Sequence, residues 1–346
     1  MSFIYTKPYL DELSELRTLF ECDFLHNKTL ALSGATGMIG SYLIDSLLAN
    51  PDFKGTIIAI VRDKAQASER FIHFKGDQRL LFVEARLDTT INIQYKIDYL
   101  VHAASLTSPH DYHDHPIDTM LLNIIGNKFM LDLALRHSAR YMFVSSTEVY
   151  GQSKGDRIDE TYSGYLDQLD PRSAYNEGKR ASETLCVAYM AEHQLEVVIP
   201  RLSRVFGPTL KDSDGKALSQ FIARGIQHQS IVLKSQGAQR FSYTYVADAA
   251  SAILFLLHHG QSGHAYNVAS EEDLSLRQIA EIVANICKTN VTFDLSIEKN
   301  MSYSKAAHAL LSIEKIKDLG WTPHVSISSG LARTCAVRAL LPRADR

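Results

Sequence analysis

The feature that most narrows the possible folds is a rhythm: short, nearly unbroken apolar runs of strand length, separated by longer stretches of helical periodicity. "TLALS" (29–33), "TIIAIV" (56–61), "LLFVEA" (80–85), "DYLVHA" (98–103), "RYMFVS" (140–145) and "LEVVIP" (195–200) read as strands covered on both faces. Between them, 38–50, 116–137 and 173–193 carry the helical patterns "MIGSYLIDSLLAN", "PIDTMLLNIIGNKFMLDLALRH" and "SAYNEGKRASETLCVAYMAEH". Strands alternating with helices predict an α/β fold with a parallel sheet wound on both faces. At 346 residues and 45% hydrophobic content the chain can bury a core of that size.

Past residue 200 the rhythm loosens. "GPTLKDSDGK" (207–216) reads as a loop, and 246–259 and 276–287 as helices of a smaller C-terminal α/β lobe. Before Thr29, Leu10, Leu13, Leu16, Leu19 and Phe20 recur at helical spacing and predict a docked amphipathic helix. The expected division is a helical leader (1–28), a dinucleotide-binding domain (29–200) and a mainly substrate-binding lobe (201–346).

The first chemical motif is "SGATGMIGS", which follows a strand and opens a helix. Gly34, Gly37 and Gly40 allow a tight turn, close approach of a pyrophosphate, and presentation of helix amides to its charge. That context predicts a dinucleotide site. After the second strand, Val61 stands where an NAD protein would place a ribose-binding carboxylate. Arg62 could meet the 2′-phosphate of NADP or lie in solvent, and Asp63 could reach a ribose, so NAD and NADP both stand.

The second motif is "YNEGK". Four-residue spacing sets Tyr175 and Lys179 on one helix face, where an ammonium can stabilise a phenolate whose ordinary pKa is about 10. Tyrosine then becomes a usable base.

In this order, "GATGMIG", "DYLVHAAS", "SSTEVYG" and "YNEGK" resemble the extended short-chain dehydrogenase/reductase family acting on nucleotide sugars, of the NAD-dependent epimerase/dehydratase type. The resemblance runs from Thr29 to about Leu331. "SPHDYHDHPIDTMLLNIIG" and "DPRSAYNEGKRASETLC" are most similar to UDP-glucuronate decarboxylases. It implies a Rossmann-type domain for NAD or NADP, a nucleotide-sugar substrate, and a homodimer. Gly34, Thr36, Gly37, Met38, Ile39, Gly40, Arg62, Ala103, Tyr175 and Lys179 would face the cofactor. Ser105, Thr147, Arg204 and Arg240 would face the substrate.

By the same resemblance Ser146 hydrogen-bonds the sugar's 4-hydroxyl, Tyr175 removes its proton, and Lys179 holds the nicotinamide ribose. A 4-keto sugar results. Family dehydratases carry an Asp–Glu pair where this chain has Thr147 and Glu148, whereas decarboxylases read Ser–Glu. Thr147 keeps the hydroxyl and Glu148 is left for the second chemical step. Two positions depart from the pattern. "QRFSYTYVAD" puts Phe241 in the place of a family arginine, with Arg240 one residue earlier, and one residue along a strand reverses the face. "PRLSRVFGP" offers Arg204 where relatives usually have an asparagine. Asn123 matches a buried family asparagine that orders the active-site helix. A 4-epimerase, 4-ketoreductase or 4,6-dehydratase is the alternative enzyme reading, and a cofactor-binding regulator without turnover the alternative outside enzymes.

A net charge of -3 gives no general attraction for nucleic acid or anionic membrane. No apolar stretch approaches the roughly 20 residues of a membrane span, and the N-terminus lacks a secretory pattern. Cys22, Cys186, Cys287 and Cys335 lack the paired spacing of a zinc site or disulfide framework, which suits a reducing cytoplasm. His102 reads as positional. His110, His113 and His115 read as a solvated loop, since no second ligand cluster accompanies them, and no metal is expected.

Overall fold

In the computed structural model, residues 4–107, 114–153, 157–211, 214–295 and 308–341 are described. The six apolar runs all form strands: β1 (Thr29–Ser33), β2 (Thr56–Val61), β3 (Leu80–Glu84), β4 (Tyr99–His102), β5 (Arg140–Phe143) and, after the short β6 (Ser145–Ser146), β7 (Val197–Leu202). Alternate residues serve opposite faces of this sheet. Leu30, Leu32, Ile57 and Ala59 enter one apolar cluster, while Ala31, Ile58, Leu100 and Tyr141 enter the other. Fully burying a leucine or isoleucine in this way contributes roughly 1.5–3 kcal/mol.

All pairings in the large sheet are parallel, in the order β7-β5-β4-β1-β2-β3 with a later strand, β12 (His264–Val268), outside β7, and β6 extends along β7. From β1 the chain winds outward through β2 and β3, then crosses back to lay β4 on the other side of β1. Winding reverses there, and the carboxyl ends of β1 and β4 bound the crevice in which such sheets bind ligands. The helices that cover the sheet include α1 (Lys7–Glu15), α2 (Met38–Ala49), α3 (Lys64–Arg70), α4 (Pro116–His137) and α5 (Ser173–His193).

The strand β12 (His264–Val268) belongs to the part of the chain beyond residue 200, yet it pairs with β7 in the large sheet. The part expected to form a separate lobe therefore returns one strand to the large sheet, and covers a β7 edge that would otherwise present unpaired amides. The lobe proper holds three small parallel pairs: β8 (Arg204–Phe206) with β11 (Tyr243–Tyr245), β9 (Ile231–Leu233) with β13 (Val291–Phe293), and β10 (Arg240–Phe241) with β14 (His308–Ala309). Around them lie α6 (Ala217–Gly225), α7 (Val246–His259), α8 (Leu276–Cys287) and, after a four-residue helix, α9 (Ile327–Arg338).

The leader docks as its periodicity predicts. Leu13 and Phe20 are buried, and Leu10, Leu16 and Leu19 pack partly buried against the same core. Polar groups fix its register. Glu12 accepts hydrogen bonds from the Tyr42 and Tyr245 hydroxyls at 2.7 Å each, joining the leader to α2 and to the C-terminal lobe. Asp45 accepts from Tyr5 and Tyr9 and pairs with Arg70 at 2.6 Å.

Candidate functional site

The glycine-rich turn sits at the carboxyl end of β1, against β4. Gly34 has φ +75°, and a Cβ there would lie 2.7 Å from the backbone of Ala103, so both the turn and the close approach require glycine. Gly37 differs. It is the N-cap of α2, no side chain caps that helix, and a Cβ would meet only the Gly34 carbonyl, at 3.1 Å. The half-buried Thr36, Met38 and Ile39 complete the turn, with Gly40 buried behind them. Thr209 donates to the Met38 carbonyl at 2.9 Å and ties the turn to the second lobe. An uncapped helix start behind an open glycine fits a pyrophosphate.

Arg62 is exposed just past the end of β2, one position beyond the level of Gly34. Asp63 is occupied as the N-cap of α3, accepting from the Gln66 amide at 2.9 Å. On β4, His102 bonds Ser33 across the pair, Nδ1 to Oγ, at 2.6 Å. Burial first, then the charge of Lys179, holds its pKa down to about 3, so the imidazole is neutral and positional. Ser105 donates to the side chain of Asn123 at 2.9 Å, and Asn123 donates to the Thr119 carbonyl at 2.7 Å. That buried asparagine joins the strand end to α4.

The segment after β5 holds the candidate catalytic residues. Ser146 starts a single 3₁₀ turn, Thr147–Tyr150, and its Oγ accepts from the Glu148 amide at 3.3 Å. The turn Asp170–Ser173 opens α5, Arg172 N–H donating to the Asp170 carboxylate at 3.0 Å, and brings Tyr175 and Lys179 beneath that segment, both buried. Lys179 Nζ lies 6.0 Å from the Tyr175 ring centroid and 4.5 Å from that of Phe143. Burial pushes the Lys179 pKa down to about 7, and the carboxylate of Glu183 opposes that drop.

Asn176 was not among the residues expected at the site. Its Nδ2 donates to both the backbone carbonyl and the carboxylate of Glu148, at 2.8 and 3.0 Å. Arg172 approaches the same carboxylate at 3.8 Å. Glu148 is thereby aimed by α5, and the signal lay beside the tyrosine already singled out. Glu183, two turns along from Tyr175 on the same face, was also missed. It accepts from Ser145 Oγ at 2.6 Å and pairs with Arg201 at 2.6 Å.

Thr147, Glu148 and Arg204 line one pocket together with Gly151, Phe241 and Ser242. Arg240 is not brought there. Its Nε pairs with Asp273 at 2.6 Å and its Nη2 donates to the Asp273 carbonyl at 3.0 Å, while Phe241, on the other face of β10, lines the pocket. His110 and His113 lie outside the described residues, and His115 is exposed ahead of α4. Among the described residues no cluster of His, Cys, Asp and Glu could hold a metal.

The profile of the NAD dependent epimerase/dehydratase family matches residues 30–269. The chain belongs to that family. This epimerase/dehydratase family member is an enzyme, and its cofactor is a nicotinamide dinucleotide. In sequence it is similar to UDP-glucuronic acid decarboxylases. Decarboxylase 6 of Arabidopsis thaliana is 30% identical over 309 residues, 89% of this chain and 88% of that protein. Decarboxylase 1 of Xenopus tropicalis is 28% identical over 89% of this chain and 71% of that protein. The fold is shared with UDP-glucose 4-epimerase of Thermotoga maritima, solved with UDP-glucose (TM-score 0.78, 20% identity, 89% of this chain and 98% of that one). It is shared equally with dTDP-glucose 4,6-dehydratase of Bacillus anthracis, solved with NAD (TM-score 0.76, 19% identity, 90% and 96% covered).

Proposed function

We propose that this enzyme oxidises a nucleotide sugar at C4 and then decarboxylates it, acting on UDP-glucuronate or a close analogue. The observation that carries the reading is Glu148, held by Asn176 on the turn that starts at Ser146 and accompanied by the hydroxyl of Thr147 rather than by a second acid. Ser146 and Tyr175 hold the 4-hydroxyl, and Tyr175 takes its proton. A nicotinamide dinucleotide held at the turn of Gly34, Gly37 and Gly40 would supply an acceptor for the C4 hydrogen as hydride, and a donor for its return. A C4 ketone makes the C6 carboxylate a β-keto acid. CO₂ then leaves while the electrons of the C5–C6 bond stay on the sugar, delocalised toward the C4 oxygen, and the resulting enolate takes a proton at C5. Glu148 is the group assigned to that step. Without an acidic partner beside it, 4,6-dehydration lacks the general acid that contributes roughly 10²–10⁴-fold.

Incubating the purified protein with UDP-glucuronate, UDP-glucose and NAD, with mass detection, tests this. A product lighter by one CO₂ is expected from UDP-glucuronate. Loss of water from UDP-glucose would make it a dehydratase, and an isomer of unchanged mass an epimerase.

We further infer a homodimer formed through α4 and α5, supported by Ile117, Leu121 and Ile125, which expose apolar side chains at four-residue spacing along α4. Ile117→Glu with Leu121→Glu should turn a dimer into a monomer in light scattering. The cysteines are free and buried, which suits a cytoplasmic setting. No helix among the described residues is long and apolar enough to cross a membrane.

A further inference from the structure

The pocket beside Glu148 contains a charge that the proposed reaction has not used. Arg204 enters it from β8, and its backbone is fixed there: β8 pairs with β11, Arg204 opposite Tyr243, and its N–H donates to the Ser242 carbonyl at 3.2 Å. Its side chain is fixed as well. The guanidinium carbon lies 3.5 Å from the centre of the Phe241 ring, which sets the plane of the fork and leaves its N–H edges free to bond in that plane. Its positive charge bears on the buried Tyr243 hydroxyl, and the fork offers five donors in all.

Across the pocket stand Glu148 and Thr147. Thr147 Oγ1 is buried and makes no hydrogen bond among the described residues, so it is a polar group prepared for a partner that none of those residues supplies. A carboxylate entering beside Glu148 alone would be repelled. Arg204 is the only cation among the residues lining that pocket, because the neighbouring Arg240 is spent on Asp273 outside it.

We propose that Arg204 determines substrate specificity by gripping a carboxylate on the sugar, with the Thr147 hydroxyl as a second contact, so that the site selects acidic over neutral nucleotide sugars. This rests on the C4-oxidising, decarboxylating reading above and assigns the acidic group its partner. Phe241 takes part by holding the guanidinium flat. The one-residue offset of Arg240 and Phe241 thus moves the cation of the pocket from β10 to β8. An alternative anion within the same substrate is its diphosphate, and the two are separable by ligand.

The test is calorimetric titration of Tyr175→Phe, which should bind nucleotide sugar without oxidising it, alone and with Arg204→Met or Arg204→Lys added, each saturated with NAD, with UDP-glucuronate, UDP-glucose and UDP. Arg204→Met should weaken UDP-glucuronate by roughly 10- to 100-fold, the worth of a charge-assisted pair, while UDP-glucose and UDP stay within about twofold. Arg204→Lys keeps the charge without the fork and should fall between. It also serves where Arg204→Met does not fold, since the ratio of UDP-glucuronate to UDP affinity is read within one protein. Equal weakening of all three ligands would assign Arg204 to the diphosphate and overturn the proposal, as would no weakening. If wild type decarboxylates UDP-glucuronate while Arg204→Met binds it normally, the reaction stands and the assignment of Arg204 falls. If wild type converts only neutral sugars, both fall.

Discussion

Lys179 donates from Nζ to the carbonyl oxygen of Val144 at 2.9 Å, two residues before Ser146. One turn further along α5, Glu183 accepts from Ser145. The helix that carries the proposed base therefore grips the strand end that carries its proposed hydroxyl partner at two successive residues, and the relative placement of Ser146 and Tyr175 is set by that double hold rather than by the substrate.

The same burial makes Lys179 a source of pH dependence. Its folded pKa is about 7 against an unfolded value of 10.5, so between those limits the unfolded chain binds more protons and stability rises with pH. Below about 7 the cost of burying the ammonium is present in full. Lys179→Met should flatten that rise in melting temperature and lower turnover by roughly 10²-fold or more. Parallel melting curves against pH for the two proteins would show that Lys179 is not the titrating group.

Gly37→Asp should fold, because its φ of -75° suits any residue and its Cβ meets only the Gly34 carbonyl, which has to ease back slightly, and should lose NAD(P) binding, because its carboxylate would stand at the uncapped start of α2 where we place the pyrophosphate. Titration with NAD and with NADP reads it directly. A folded mutant that binds either normally would remove the turn from the cofactor site.

What was readable in the sequence divides along physical lines. The buried parallel strands were legible because strands covered on both faces need continuous apolar runs, and the turn and the Tyr175/Lys179 pair were legible because their chemistry demands fixed spacing. The return of the chain to the large sheet at β12 was not, because "HAYNV" is short, partly polar and preceded by a long excursion through the second lobe. Asn176 and Glu183 were missed for another reason. Their roles are contacts with Glu148 and Ser145, 28 and 38 residues away, and no local pattern encodes such a contact. Arg240 was legible only as an ambiguity, which its pairing with Asp273 resolves.

The leader supplies a stability prediction. Glu12 is 2% exposed, burial raises its pKa above 4.5, and its Oε1 serves two buried tyrosine hydroxyls. A carboxyl raised in the folded state costs stability as pH climbs above its unfolded pKa. Glu12→Gln keeps an acceptor and carries no charge, so at pH 8 it should match or exceed wild type. Glu12→Ala strands both hydroxyls and should cost about 2–4 kcal/mol. Denaturant titration separates the two, and equal losses would mean that the charge itself is required.

The two halves of the proposed reaction can be cut apart at Glu148 and Tyr175. Tyr175→Phe removes the group that takes the 4-hydroxyl proton. It should bind nucleotide sugar, form no reduced nicotinamide, and lose roughly 10²-fold or more in turnover. Glu148→Gln leaves Ser146, Tyr175 and Lys179 intact, and its amide can still engage the Asn176 side chain after that side chain turns. Oxidation at C4 should therefore proceed, and the absorbance of reduced nicotinamide should rise on adding UDP-glucuronate and persist, while product accumulates far more slowly than in wild type. The distinction depends on which step needs a second acid–base group. An epimerase takes its hydride back from the nicotinamide and its proton from the same tyrosine and needs no other acid–base group, so in that case Glu148→Gln would turn over nearly normally, and the decarboxylase reading would give way. A Glu148→Gln protein that cannot reduce the nicotinamide at all would place Glu148 in substrate positioning, ahead of the first step rather than in the second.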